Sequence, residues 1–487
     1  MKTGRDSGLG TRDSGGGPEA GAKLPSPVAI LGFARSGQAL ADALLARGVE
    51  VRVGDMKPAS AFPEETAWRR RGAHLFFDGP PTGFLEGAAC LALSPGVPTT
   101  APTVGEARAR GIEVLGEIEL AWRIAEAQSP GKNRWIAVTG TNGKSTTTAW
   151  IAEMLRHAGR PVALAGNIGV PLSSFLKDSS PRDFVCEVSS FQLETIERFR
   201  PHVAVLTNVT PDHLDRYATF EEYARAKQRV FQNQTENDAA VVNADDPVSA
   251  SFAPRSRRVP FSRAGVERSG TWSQNGWLHS AILGSDRAVI DQRRLALAGA
   301  HNVENALAAV AAADLLDTPG EAIERALATF PGLPHRTQVV ASHGGVQWVD
   351  DSKGTNVDAT RKSLEGYPDG SVLLILGGRD KHGDFVALAP LLARVARRVL
   401  TIGEAAPAIE SALGSEVEIE RAGDMERAVA RAAELARPGD TVLLSPACAS
   451  FDQYRNFEER GQHFARLARQ AAAESVDGRR KTGDEKK

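Results

Sequence analysis

At 487 residues, with 42% hydrophobic and 24% charged residues and a formal net charge of −2, the chain has the composition of an ordinary globular protein and is too long for a single hydrophobic core. That charge excludes a global basic field, so nucleic acid and anionic membrane surfaces are poorer partners than a small molecule. No apolar run reaches the ~18–20 residues a membrane helix needs, and three scattered cysteines (Cys90, Cys186, Cys448) fit reduced thiols, so the expected setting is cytoplasmic, without nucleic acid or membrane insertion.

The chain begins with a Gly- and charge-rich stretch that lacks the apolar centre of a signal peptide and is too poor in apolar residues to order itself, so residues 1–26 are expected to form a flexible tail. From Pro27, an apolar run over 28–31, a turn bounded by Gly32 and Gly37, an amphipathic stretch to Arg47, a stop at Gly48 and a second apolar run over 49–53 spell a βαβ opening. Asp55 follows where dinucleotide-binding folds place an acid on a ribose. The turn, however, reads Gly-x-x-x-x-Gly rather than Gly-x-Gly-x-x-Gly, and a plain tight turn accounts for it equally well. Leu91-Ala92-Leu93 then leads into Ser94-Pro95-Gly96, which either offers backbone amides to an anion or is simply a loop. A shift to Ser, Pro, Gly and Lys over 128–133 marks a linker, and the first domain is placed at 27–130.

A strand expected over 135–139 runs into Gly140-Thr141-Asn142-Gly143-Lys144-Ser145-Thr146-Thr147, followed by a helix over 145–158 that stops at Gly159. A glycine-rich loop between a buried strand and a helix N-terminus turns unpaired N–H groups and the positive end of the helix dipole toward phosphate oxygens. Lys144 would reach the β- and γ-phosphates of ATP, and Ser145 holds the position of a magnesium ligand. The loop is a shortened variant, with Val138 where the usual spacing places its first glycine.

The next strand, over 184–188, ends in Glu187-Val188-Ser189-Ser190-Phe191-Gln192-Leu193, where Glu187 is a candidate metal ligand because strand ends of parallel sheets open into the binding crevice. After a strand over 203–208, Asn208-Val209-Thr210-Pro211-Asp212-His213-Leu214-Asp215 gathers Asp212, His213 and Asp215 at the equivalent end. A helix over 221–231 carries Lys227, which beside Arg225 and Arg229 reads as a solvated helix charge. A strand over 239–243 follows. His301-Asn302 and Asn305 resemble a helix start with a polar face, where capping accounts for Asn302. The central domain is placed at 131–332.

Beyond Gly332-Leu333-Pro334, with Pro334-His335-Arg336 at the hinge, strands are expected over 346–349, 372–376, 399–402 and 441–444. Asp350-Asp351-Ser352-Lys353-Gly354-Thr355-Asn356, Gly377-Gly378-Arg379-Asp380-Lys381 and Ser445-Pro446-Ala447-Cys448-Ala449-Ser450 each close a strand, with Phe457 downstream. Each could be an ordinary loop, but their shared place after strands favours a face offering anion- and amine-binding groups. This domain is placed at 333–474, and the charged end, 475–487, is expected to be a second flexible tail. The alternation of strand and helix predicts an α/β protein with mostly parallel sheets.

Taken together, Gly-Thr-Asn-Gly-Lys-Ser-Thr, Glu-Val-Ser-Ser-Phe-Gln-Leu-Glu and Asn-Val-Thr-Pro-Asp-His-Leu-Asp resemble the Mur ligases, over roughly 27–471. Asp351 to Asn356 and Ser-Pro-Ala-Cys-Ala-Ser-Phe-Asp-Gln-Tyr are similar to the D-glutamate-adding branch of that family. The resemblance implies three domains: a UDP-binding Rossmann-like domain, a central P-loop-type ATPase and a C-terminal Rossmann-like domain that admits the amino acid. It implies a monomer that joins D-glutamate to UDP-N-acetylmuramoyl-L-alanine with ATP and two Mg²⁺ ions, through an acyl phosphate. By resemblance Lys144, Glu187, His213 and Lys227 are catalytic, with Ser145, Glu187, His213 and Lys227 at the metals and Lys227 carbamylated by CO₂, which reverses its reading as a solvated charge. Gly140 to Thr147, Asn302, Arg336 and Asp351 resemble ATP contacts. Thr355, Lys381, Ser450 and Phe457 resemble D-glutamate contacts, and Asn167, in Ala165-Gly166-Asn167-Ile168-Gly169, a contact to the sugar peptide. Asp55 and Lys57 would face uracil, with Ala34, Arg35, Ser94 and Gly96 near the diphosphate. Ala34-Arg35 and Met56-Lys57 depart from the family's usual residues there.

Overall fold

The computed structural model describes residues 24–214, 216–414 and 417–484; the expected tail over 1–23 and Asp215 lie outside the described residues. Five strands, β1 (Val28–Leu31), β2 (Val51–Gly54), β3 (Ala73–Phe76), β4 (Cys90–Leu93) and β5 (Glu113–Gly116), form a parallel sheet in the order β3-β2-β1-β4-β5. The order reverses between β1 and β4, the topological switch at which such sheets open a crevice.

Nine strands follow: β6 (Arg134–Thr139), β7 (Val162–Gly166), β8 (Asp183–Glu187), β9 (Val203–Leu206), β10 (Ala239–Asn243), β11 (Arg257–Ser262), β12 (Thr271–Gln274), β13 (Trp277–Ser280) and β14 (Arg287–Asp291). Their order is β14-β13-β12-β11-β10-β9-β6-β8-β7. It is parallel from β7 to β12 and antiparallel from β12 to β14. The antiparallel meander was not among the strands expected from sequence, because its short strands mix polar and apolar residues.

The last six strands are β15 (Gln338–His343), β16 (Val346–Asp350), β17 (Val372–Gly377), β18 (Ala396–Ile402), β19 (Ile419–Gly423) and β20 (Thr441–Leu444). They are ordered β15-β16-β20-β17-β18-β19, parallel except for the antiparallel edge strand β15. The apolar run of β17 shows why parallel strands lack an alternating pattern. Val372, Leu374 and Leu376 enter one core, with Phe385, Leu392 and Ile409, while Leu373 and Ile375 enter the core on the opposite face, with Phe464 and Val442.

The chain separates into two compact units. One runs to Asn208 and takes in Ala224–Leu295 and Glu304–Thr329; the other comprises Val209–Tyr223, Ala296–Val303 and everything from Phe330. The first unit therefore holds two sheets, and the helix Glu117–Gln128 ties them with buried carboxylates. Glu117 accepts from Ser173 N and Oγ at 2.7 and 2.6 Å. Glu119 accepts from the backbone N–H of Glu197, Arg198 and Phe199 at 3.0, 3.1 and 2.8 Å. Glu126 accepts from Trp135 Nε1 at 2.7 Å, and that indole stacks on Phe184 with ring centroids 4.2 Å apart. Hydrogen bonds to charged groups contribute ~1.5–3 kcal/mol each, which helps to offset the cost of burying the three acids.

The final helix spans Phe457–Asp484, so the backbone of 475–484, where a second tail was expected, is helical. Once a helix is anchored, each further residue adds a hydrogen bond. The last three residues lie outside those described.

Candidate active site

The strand–loop–helix around Gly140 forms as expected, with β6 ending at Thr139 and a helix over Lys144–His157. Gly143 caps that helix at φ +84°, and an added Cβ would meet Asn305 Oδ1 at 2.1 Å, so only glycine lets the chain pass here. The N-cap is a glycine, so no N-cap side chain competes for the N–H groups of the first turn, as suits an anion site at a helix N-terminus. Neighbours hold the loop in shape. Thr207 Oγ1 donates to Asn142 O at 2.6 Å, Asn142 N donates to Asn208 Oδ1 at 3.0 Å, and Thr141 N donates to Asn208 O at 2.8 Å. Lys144 Nζ donates to Thr141 O at 2.7 Å. Ser145, Thr146 and Thr147 are buried, and the Thr146 hydroxyl has no hydrogen-bond partner among the described residues. A buried orphan donor at a helix N-terminus fits a phosphate oxygen.

Glu187 stands at the end of β8, 1% exposed, next to the loop strand in the sheet. Gly166 (φ +100°) brings the following loop against it, since an added Cβ would lie 2.2 Å from Glu187 O. Asn167 can then donate through N to Glu187 O at 2.9 Å and through Nδ2 to Glu187 Oε1 at 2.7 Å. Ser189 and Gln192 of the same motif form a capping box for the turn Ser190–Leu193, a structural role.

Lys227 is not a solvated charge. It is 2% exposed and donates to Gly140 O at 2.7 Å, directly behind the glycine loop. The reason is helical phase: it falls four residues from Tyr223 and from Phe231 on the buried stripe, while Arg225 and Gln228 face outward. That stripe was legible but hidden by the neighbouring arginine charges. Among the described residues no group of three or more His, Cys, Asp or Glu side chains forms a ready metal site. A single carboxylate beside a hydroxyl and bound phosphates is a fit for Mg²⁺, which keeps water and phosphate oxygens in its shell, and a poor fit for an all-protein cage.

At the first sheet, Asp55 accepts from Phe33 N at 2.6 Å and Lys57 N at 2.9 Å, Ser94 Oγ donates to Gly32 O at 2.7 Å, and Arg35 Nη2 donates to Gly169 O at 2.6 Å. Ala34, Lys57 and Gly96 are exposed. These residues sit at the C-terminal ends of β1, β2 and β4, as the switch-point crevice requires.

In the second unit, Asp212 organises the segment that bears His213. It accepts from Lys381 Nζ at 2.8 Å, Asn356 Nδ2 at 2.8 Å and His213 N at 2.9 Å. Burial alone would raise its carboxyl, but the Lys381 ammonium and the other donors hold it far below the usual carboxylate range. His213 adopts φ +56°, an uncommon left-handed conformation for a non-glycine residue. Asn302 lies inside the helix Ala300–Asp314, and its Nδ2 donates to Ala298 O at 2.7 Å. Asn302 therefore stands within the first turn and not at the N-cap position, which corrects the capping account. Beside it, burial pulls His301 down to about 4, so its ring is neutral at neutral pH.

After β16, Asp350 Oδ2 meets His335 Nδ1 at 2.6 Å, and Lys353 Nζ stands 4.3 Å from the centroid of the Phe457 ring. Asp351 accepts from Ser445 Oγ at 2.8 Å and Thr337 N at 3.2 Å. Burial pushes its carboxyl up to about 6, against the pull of Ser445 and Arg336. Between about pH 4 and about pH 6 the folded chain holds a proton there that the unfolded chain has released, so this carboxyl lowers stability as pH rises through that window. Asp351→Asn should remove that part of the slope. Melting temperatures of both proteins across the window check it, and an unchanged slope would contradict the assignment.

Thr207, which shapes the glycine loop, carries no sequence signature beyond a polar residue after a strand; Asn208 opens the Asn208–Asp215 motif and Asn305 reads as part of a polar helix face, but neither reading ties them to the loop. Arg460 was missed altogether.

Three family descriptions match the chain: "Mur ligase MurD-like, N-terminal domain" over residues 26–116, "Mur ligase middle domain" over 138–313 and "Mur ligase, glutamate ligase domain" over 335–448. The chain is 42% identical over 446 residues to a UDP-N-acetylmuramoylalanine--D-glutamate ligase of Acidobacterium capsulatum, covering 90% of this chain and 95% of that one. It is 44% identical over 466 residues to a protein of the same name from Anaeromyxobacter dehalogenans, covering 91% and 98%. Its fold is similar to that of a MurF ligase from Thermotoga maritima solved in complex with ADP, with TM-score 0.57 and 18% identity over 80% of this chain and 90% of that one.

Proposed function

The chain belongs to the Mur ligase family, and from that premise we propose that its residues divide between them the ATP-dependent joining of D-glutamate to UDP-N-acetylmuramoyl-L-alanine in cytoplasmic peptidoglycan precursor synthesis. It is an amide-forming ligase. The observation that carries the amino-acid choice is the 41–44% identity, over nine-tenths of the chain, to relatives named for D-glutamate.

The lactoyl-alanine carboxylate attacks the γ-phosphorus of ATP; an O–P bond forms, the bond to ADP breaks, and an acyl phosphate results. The amine of D-glutamate then attacks the acyl carbon, loses a proton and expels phosphate. Both reactants of the first step are anions, so the work of the protein is positioning and charge compensation. The N–H groups after Gly143, the Thr146 hydroxyl and Lys144 hold the phosphates. Ser145, Glu187 and His213 would hold magnesium, which supplies positive charge at the transferring phosphoryl group when bound. Asn167, which donates to Glu187, contacts the sugar peptide in this reading.

Lys227, behind Gly140, takes a further role. Its Nζ adds to CO₂, forming an N–C bond and releasing a proton, and the resulting carbamate is an anion where the sequence provides only an amine. Ala34, Arg35, Asp55, Lys57, Ser94 and Gly96 serve the UDP moiety. Asn302, Arg336 and Asp351 contact ATP, and Thr355, Lys381, Ser450 and Phe457 the amino acid, in a monomer whose domain limits fall near residues 130 and 332.

The test is phosphate release with UDP-N-acetylmuramoyl-L-alanine and ATP while the amino acid is varied. D-glutamate should stimulate it strongly. Stimulation by a different amino acid, with D-glutamate inert, would reject the reading.

A further inference from the structure

Arg460, on the helix Phe457–Asp484, is 1% exposed and among the largest fully buried side chains of the protein. A guanidinium has five N–H groups in a fixed planar fork, and here all five find acceptors. Nε donates to Ser352 Oγ at 3.0 Å. Nη1 donates to the carbonyls of Cys448 and Ala449 at 3.2 and 3.3 Å, and Nη2 to those of Ser352 and Cys448 at 2.9 and 3.1 Å. No carboxylate accepts from it among the described residues. Burial draws it down to about 10, so it remains a cation at neutral pH.

Hiding a charge without a direct counter-ion is expensive, and an apolar residue would fill the same volume at less cost. What the fork provides is geometry. Its acceptors belong to the loop that follows β16 and the loop that follows β20. Those loops are joined again where Ala447 N donates to Gly354 O at 2.9 Å. Ala449 exchanges backbone bonds of 2.9 and 2.8 Å with Arg379, in the loop after β17 that leads to Lys381. Ser352 Oγ, while accepting from Arg460, donates to Phe457 O at 2.8 Å. One guanidinium therefore sets the spacing of the segments that bear Thr355, Ser450, Lys381 and Phe457.

We propose that Arg460 is a positioning residue for the amino-acid substrate, its fork fixing the loops after β16 and β20 at the separation at which they receive D-glutamate. The proposal rests on the D-glutamate reading above. A lysine would keep the charge but lose the fork; it cannot make five hydrogen bonds to four acceptors on two loops.

The experiment compares Arg460→Lys and Arg460→Met with the wild-type full-length chain, measuring KM separately for ATP, UDP-N-acetylmuramoyl-L-alanine and D-glutamate, together with the melting temperature. In the lysine variant KM for D-glutamate should rise roughly ten-fold, equivalent to about 1.4 kcal/mol, with the other two KM values unchanged. The methionine variant should rise further, or fail to fold, in which case the lysine variant alone decides. Unchanged KM for D-glutamate in a folded lysine variant overturns the proposal, as does an equal loss for all three substrates with a lowered melting temperature, which marks a merely structural role. A wild-type enzyme indifferent to D-glutamate would instead overturn the functional reading, and the proposal with it.

Discussion

Lys144→Ala should lower ATP-dependent phosphate release by at least ~10²-fold while leaving the fold intact, because it removes a preorganised positive charge from the transferring phosphoryl group. The side chain begins the helix Lys144–His157, where alanine is a better helix former, so the local backbone should tolerate the change. The substitution removes the Lys144 bond to Thr141 O, but the loop keeps its bonds to Thr207 and Asn208. Steady-state phosphate release and circular dichroism separate the two effects. Activity within a few-fold of wild type would show that the glycine loop does not hold the reacting nucleotide.

Lys227→Ala should be comparably damaging, and here the informative result is recovery. If the buried amine carries a carbamate, alanine leaves a space of similar size behind Gly140, and formate or acetate should restore part of the lost activity. Neutral amides of the same shape should not. The substitution also strips Gly140 O of a donor, which costs about 1–3 kcal/mol for a buried acceptor, so the melting temperature must be followed alongside. Full activity in the alanine variant would remove carbamylation from the account. Loss without rescue, in a protein of normal stability, would assign the residue to the amine itself.

Much of this architecture could be read from sequence because parallel strands buried on both faces are continuous apolar runs, and the glycine loop, Glu187 and the motifs after β16, β17 and β20 each follow such a run. The strand ends were therefore legible as a binding face. What escaped were interactions that depend on distant partners. Lys227 sat among arginines, and its burial followed from a helical stripe whose other members, Tyr223 and Phe231, were not weighed with it. Asp212 looked like one of several acids around His213, and only the fold pairs it with Lys381, 169 residues away. Arg460 belongs to no motif at all: its acceptors are mostly backbone carbonyls, and a carbonyl leaves no trace in a sequence. The meander β12–β14 was missed for a different reason, since short strands with one wet face alternate too briefly to stand out from loops.

The three carboxylates of the helix Glu117–Gln128 set a length scale for catalysis. Because Glu117, Glu119 and Glu126 bind the five-stranded sheet to the sheet of the glycine loop within one compact unit, the separation between the proposed uridine and γ-phosphate sites would be built in before any ligand arrives. The nucleotide-sugar then acts as a gauge laid along that span. A substrate whose carboxylate hangs one residue too short or too long reaches the wrong point beside the triphosphate, however well its uracil is held.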